Sequence, residues 1–415
     1  MSPDTHDDVL APASATEASF DPQGLARVDE IMRDALDTVC PAATLLIARH
    51  GRMALHHAYG YLDPDQRQHP TQTDSLFDLA SVSKLFTVTA FMTLVEAGRV
   101  DLTTPVADVL PEFGSVRPIG PTEDPQTKRD VPADPEFAGQ VVDTSQVTFW
   151  HLLTHTSGLA AWRSLYRQGT QGDAVPFPHQ VSDAERAGRI AAIYKEYGFA
   201  CPPGQRILYS DLGLILLGEA IARLADMNLE AYVRRAVLDP LGLAHTTYNP
   251  LAHGIAGERI VPTEFCAWRK RRCLGEVHDE NAASLGGIAG HAGLFSTAWD
   301  VAVLGQTYLN GGRYGSAVLF PAETVSEMTR VQVNMNDNPR GLGWLQRSQG
   351  YSSSGSLFGP RSYGHTGYTG TSLWVDPDRS LLVVLLTNRV YHGRDPSGIA
   401  ELRPRLHDAV VEAMR

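Results

Sequence analysis

The chain has 415 residues, 43% of them hydrophobic and 20% charged, with 37 glycines and 26 prolines. That composition suits one or two globular domains and excludes a collagen-like, coiled-coil or wholly disordered chain. A formal charge of −12 argues against a nucleic-acid partner, and four lysines (Lys84, Lys128, Lys195 and Lys270) stand against 31 arginines.

Met1 to Ser19 is acidic and rich in Ala, Ser and Pro, with neither a basic start nor an apolar stretch. It reads as a disordered tail (residues 1–19) rather than a signal peptide, so a cytoplasmic protein is expected. Nowhere do ~20 apolar residues run together, so no membrane span is expected. Asp21-Pro22 opens an amphipathic helix whose apolar face is Leu25, Val28, Ile31, Met32, Ala35, Leu36 and Val39. Ala43–Ala48 and Met53–Tyr59, split by His50-Gly51-Arg52, form a hairpin.

Helical patterns follow at Ser81–Ala97, Asp183–Gly198, Asp211–Ala225, Leu229–Val237 and Thr297–Leu309. Ser115 to Gln146 has no periodicity; a loop of that length is functional or mobile. A second hairpin joins Ser372–Val375 to Leu381–Leu386 through Asp376-Pro377-Asp378-Arg379. Its second strand is apolar throughout, as a strand buried on both faces should be. A last helix spans about Ile399 to Met414. Both termini thus supply helix plus hairpin. The expected architecture is an α/β (α+β) fold: an antiparallel sheet built from residues 20–80 and 330–415, flanked by helices, with a mainly helical domain, 81–329, inserted and a cleft between them. The cysteines, Cys40, Cys201, Cys266 and Cys273, are sparse and irregularly spaced, which suits free thiols; no Cys-x-x-Cys exists, and no metal or cofactor is expected.

Three constellations can carry chemistry. Ser81-Val82-Ser83-Lys84 opens a helix, where positions i and i+3 share a face and the helix start favours a developing anion. A lysine can exchange a proton with the serine hydroxyl where an arginine cannot. The plain alternative is a cap followed by a solvated lysine, although Leu85, Phe86, Val88 and Phe91 make the helix look buried. Tyr209-Ser210-Asp211 leads into the next helix; its phenol could serve as a general base, or the triplet could be a turn with Asp211 as N-cap. Gly364-His365-Thr366-Gly367-Tyr368-Thr369-Gly370 could let a ligand approach the backbone, with His365 and Thr366 as donors, or could be a Gly-rich turn. Tyr308-Leu309-Asn310 reads as packing and a helix stop. No Gly-x-Ser-x-Gly and no His-Glu-x-x-His is present.

In that order the three motifs resemble the penicillin-recognising serine enzymes, in particular the class C β-lactamase branch with its penicillin-binding proteins, esterases and D-stereospecific peptidases. Supporting stretches are Val147–Leu159, Val277–Asn281, Gly290–Thr297 and Gly341–Trp344, and the likeness covers roughly Leu25 to Ala413. The resemblance implies the β-lactamase/transpeptidase-like fold, Ser81 as nucleophile, Lys84 as its proton partner and Tyr209 as second general acid/base. It further implies an oxyanion hole from the backbone N–H groups of Ser81 and Tyr368, and substrate contacts from Asp211, His365, Thr366 and Gly367. Asp211 replaces the family's asparagine and should hold Lys84 charged and raise the Tyr209 pKa. His365 replaces its lysine and should be partly charged, binding a carboxylate less well. His155 and His291 are expected to be structural. The reading is a hydrolase of small esters, amides or at most weakly β-lactams, esterase-like or D-amino-acid peptidase-like. The alternatives are a penicillin-binding DD-carboxypeptidase or β-lactamase, and a ligand-binding or sensor protein without turnover. The letters set no oligomeric state.

Overall fold

The computed structural model describes residues 9–36, 38–168 and 175–415. The two ends of the chain build one seven-stranded sheet. Its strands are β1 (Ala11–Pro12), β2 (Ala42–Arg49), β3 (Arg52–Gly60), β4 (Leu345–Gln346), β5 (Tyr363–Thr366), β6 (Ser372–Asp376) and β7 (Leu381–Thr387). They lie in the order β1-β3-β2-β7-β6-β5-β4. β1 runs parallel to β3 and every other pair is antiparallel. The central pairing of β7 with β2, from Leu381 opposite Arg49 to Thr387 opposite Ala43, joins the N-terminal hairpin to the C-terminal one.

Strand alternation explains why β2 and β7 are apolar throughout. Leu45, Ile47, Leu381, Val383 and Leu385 face one layer, formed with α1 (Pro22–Asp34) and the C-terminal helix. Leu46, Ala48, Leu382, Val384 and Leu386 face the other, shared with the middle of the chain. Three helices of that middle part are α2 (Ser83–Glu96), α3 (Asp211–Ala225) and α4 (Ala298–Leu309); α5 (Ser397–Glu412) closes the chain against α1. α1 starts as its sequence suggests: Asp21 accepts from the Gly24 N–H and Pro22 occupies the first turn. At the crossing of α1 and α5 a Cβ on Gly24 would lie 2.6 Å from the Ala413 Cβ, so only glycine allows the approach.

Three sequence expectations change. Residues 9–19, expected to belong to a disordered tail, are ordered from Val9 onward: β1 adds to β3, and Leu10, Ala18 and Phe20 are buried. Two residues of strand and scattered apolar side chains leave no periodic trace in the sequence. The 115–146 segment is a pair of short ladders, residues 116–118 with 141–143 and 122–123 with 130–131. Within it Arg117 is buried, its guanidinium carbon 4.4 Å from the Phe113 ring centroid and 5.0 Å from that of Phe199. The N-cap of α3 is Ser210, which accepts from the Gly213 N–H, so the side chain of Asp211 is free for another task.

All four cysteines are buried, and none forms a disulfide among the described residues. Among the described residues no helix is long and apolar enough to cross a membrane.

Candidate active site

Ser81 sits in the 3-10 turn Ala80–Val82 that feeds α2. The turn is held from several directions. Ala80 has φ 46°, a left-handed conformation that costs free energy in a non-glycine residue, and its N–H donates to Asp78 Oδ1 at 2.8 Å. Thr369 and Thr371 donate to the carbonyls of Asp78 and Leu79, both at 2.8 Å. Gly367 lies against the same backbone: a Cβ there would meet Thr371 Oγ1 at 2.1 Å and the Leu79 carbonyl oxygen at 2.5 Å. The Gly-rich stretch after β5 is therefore clamped onto the turn that carries Ser81.

Lys84, one helical turn on, is 1% exposed. Its ammonium donates to Ser81 Oγ at 2.9 Å and to the His291 carbonyl at 2.9 Å, and it pairs with Asp211 Oδ1 at 2.8 Å. Burial alone would lower the Lys84 pKa, but the charge of Asp211, with Tyr209, outweighs it and the net shift is upward. Tyr209 is shifted upward as well, by burial first and by Asp211, against the opposing pull of Lys84. Both effects expected of Asp211 are present, and the resting site holds an ammonium beside a neutral phenol.

The Tyr209 hydroxyl is buried beside Lys84 and Ser81, and Lys84 Nζ lies 4.9 Å from its ring centroid. The His155 ring packs 4.5 Å from the Tyr209 ring, and its Nδ1 accepts the Ser210 N–H at 3.1 Å. His155 is buried and its pKa falls well below the usual histidine value, so it stays neutral and acts as a fixed acceptor under the tyrosine. His291 is more than filler: besides its carbonyl contact with Lys84, its Nε2–H donates to Asp279 Oδ1 at 2.8 Å. Burial favours the neutral Asp279 carboxyl, but His291 and the Ala282 N–H outweigh it and hold the group well below the usual carboxylate range. Asp211, Asp279 and His291 bring ligand atoms within 4.8 Å of one another, yet the Lys84 ammonium already supplies a cation on Asp211.

Two cavities meet at Ser81. One, about 210 Å³, is lined by Ser81, Asp211, Asp279, Lys128 and Trp162. The other, about 370 Å³, lies toward β5 and is lined by His365, Thr366, Gly367, Arg340, Arg389 and Arg403. Ser81, Tyr209, Tyr368 and Gln126 border both. Asp211 and His365 thus belong to opposite sides of the serine.

His365 departs from its sequence reading. Burial first, then the charge of Lys84, push its pKa down to about 3, so it is neutral rather than partly charged. Its Nδ1–H donates to the Thr366 carbonyl at 2.8 Å, which leaves Nε2 as an unpaired buried acceptor. The positive charge on this side comes from Arg340, Arg389 and Arg403, which sequence reasoning missed. They are far apart in the chain and sit in no motif, although Arg340 immediately precedes the Gly341–Trp344 stretch. Lys128 was missed too. The turn at Asp124, whose carboxylate accepts from Gln126 and Thr127, delivers Gln126 and Lys128 to the cleft, with Lys128 Nζ 3.4 Å from the Trp162 ring centroid.

Known proteins resemble this chain over most of its length. The pattern of the beta-lactamase family matches residues 28–404. A protein of Salmonella agona named "Putative D-alanyl-D-alanine carboxypeptidase" is 32% identical over 404 residues, covering 92% of this chain and 86% of that one. Among solved structures, EstCE1, described as a hydrolase with promiscuous acyltransferase activity, superposes with a TM-score of 0.68 at 22% identity, covering 94% of this chain and 99% of that one. An octameric penicillin-binding protein homologue from Pyrococcus abyssi does so with a TM-score of 0.65 at 19% identity, covering 91% and 75%. With the family pattern matched over nearly its whole length, the chain belongs to the beta-lactamase family of hydrolases.

Proposed function

We propose that the protein hydrolyses small esters or amides through an acyl-Ser81 intermediate, with esterase-like or D-amino-acid peptidase-like activity and little β-lactam turnover. The observation that carries this reading is the buried Lys84 ammonium 2.9 Å from the Ser81 hydroxyl, with the Tyr209 ring beside it. In the proposed sequence the resting site first loses one proton from the Lys84–Tyr209 pair. Ser81 Oγ then bonds to the substrate carbonyl carbon while its proton passes into that pair. The backbone N–H groups of Ser81 and Tyr368 stabilise the resulting oxyanion. The scissile bond breaks as Tyr209 returns a proton to the leaving oxygen or nitrogen. Water repeats the steps on acyl-Ser81, releasing the acid and restoring the serine.

The anionic Asp211 in place of an amide supports weak β-lactam turnover, because it presents no N–H donor to a substrate amide. The buried arginines favour substrates whose leaving group bears negative charge. This keeps a carboxypeptidase-like activity in play, as the name of the Salmonella relatives suggests for those proteins.

The test incubates wild type and Ser81→Ala with a p-nitrophenyl acyl-ester series, a D-alanyl peptide and a fluorescent penicillin. Turnover of esters or the peptide by wild type, lost at least 10³-fold in Ser81→Ala, is expected. Binding of the penicillin with no turnover of any substrate would instead make the protein a binding or sensor protein.

A further inference from the structure

Three arginines around the cavity on the β5 side lack what buried arginines ordinarily have, a carboxylate. Arg340, Arg389 and Arg403 are 8%, 7% and 8% exposed. Arg403 donates to the carbonyls of Gly367 and Thr371, at 3.0 and 2.7 Å. Arg389 donates to the carbonyls of Arg394 and Asp395 and stacks 4.6 Å from the Tyr368 ring centroid. Arg340 lies 5.8 Å from the Tyr209 ring centroid and makes no ion pair or side-chain hydrogen bond among the described residues. Among the described residues no carboxylate lies within 4.0 Å of any of the three; Tyr209, Tyr368 and Tyr351 neighbour Arg340, Arg389 and Arg403 in turn, and the one carboxylate whose charge favours any of them is Asp395, beside Arg389. The Nε groups of all three are buried without a partner. On the other side of the cleft Lys84 pairs with Asp211, and Arg394 pairs with Glu264 and Glu280.

A buried guanidinium without a counter-ion is expensive, and its planar fork matches carboxylate and phosphate oxygens. If Asp395 is counted against Arg389, Arg340 and Arg403 still leave two positive charges uncompensated. His365 is neutral and offers an acceptor rather than a charge, so it does not alter the count. One carboxylate would leave a charge over.

We infer that this cavity binds a doubly negative group, a dicarboxylate or a phosphate monoester, and that the substrate carries it on its leaving group beside Ser81. The leaving-group assignment rests on the hydrolase reading above; the anion site does not. Arg340 supplies the specificity for the second charge, since its guanidinium is the one with no protein acceptor.

The experiment titrates full-length Ser81→Ala at pH 7.5 with succinate, inorganic phosphate and acetate by calorimetry. At least one dianion should bind ten-fold or more tightly than acetate; succinate points to a dicarboxylate and phosphate to a phosphate monoester. Arg340→Gln in the same background should lower that dianion's affinity at least ten-fold and leave acetate within three-fold. Arg340→Lys, which keeps the charge, should restore most of the preference. Binding of all three anions within two-fold of one another, or a preference that Arg340→Gln leaves intact, overturns the inference.

A second arm compares wild-type kcat/KM for phenyl acetate, 3-acetoxybenzoate and 5-acetoxyisophthalate, whose leaving groups carry zero, one and two charges. The rate should rise with each charge. If none is cleaved while the dianion still binds, the hydrolase reading falls and the anion site stands. If all are cleaved alike and no dianion is preferred, the site falls and the hydrolase reading stands.

Discussion

Asp211 sets the protonation of the site. Its carboxylate, 2.8 Å from Lys84 Nζ, raises the pKa of both Lys84 and Tyr209. Activity that requires one proton to leave this pair should therefore climb with pH through the neutral range. In Asp211→Asn the opposing charge is gone and burial again lowers the Lys84 pKa, so the ascending limb of kcat/KM against pH should move to lower pH by ~1 unit. Ester hydrolysis measured from pH 5 to 10 checks this; a limb that stays in place contradicts the assigned role. At this scale the sequence was most legible where residues share a local segment. Ser81 and Lys84 are one helical turn apart, and Tyr209 and Asp211 flank a single cap, so their spacing survives as a motif. The arginines were illegible because only the tertiary fold brings positions 340, 389 and 403 together. The charge of His365 was misjudged because it depends on complete burial, which a residue type does not disclose.

The elements differ in the same way. The hairpins, α1 and the strand buried on both faces follow from periodicity, since burial imposes a repeat of two or 3.6 residues on the chain. The ladders of 116–143 are two or three residues long, too short to write a repeat, yet they bring Gln126 and Lys128 to the cleft. The link between β5 and the Ser81 turn is likewise a matter of close approach. Gly367→Ala would push Cβ into Thr371 Oγ1 and the Leu79 carbonyl and shift the turn, without touching Ser81, Lys84 or Tyr209 chemically. Its kcat should fall about 10²-fold, as displacements near 1 Å do, while the far-ultraviolet circular dichroism stays that of wild type. Unchanged kcat would mean that the clamp does not position the serine.

Across the whole molecule, buried neutral histidines tie stability to pH. His365, at about 3, and His407, at about 4, are both depressed mainly by burial. Between these values and ~6.5 the unfolded chain binds protons that the folded one does not, so stability is complete above ~6.5 and declines as the pH falls toward 3. Each contributes at most about 1.4 kcal/mol per pH unit in that window. Denaturant midpoints at pH 7.5, 6.0 and 4.5 should fall in that order, and His407→Gln should flatten the fall. The same layered fold that buries these groups also places the two cavities on either side of Ser81. The most direct test of the central claim is therefore chemical. Wild type mixed with p-nitrophenyl acetate, quenched in acid within the first turnovers and mapped by peptide mass spectrometry, should carry one acetyl group on Ser81, and Ser81→Ala should carry none. Turnover without that adduct, or an adduct on another residue that persists in Ser81→Ala, would contradict it.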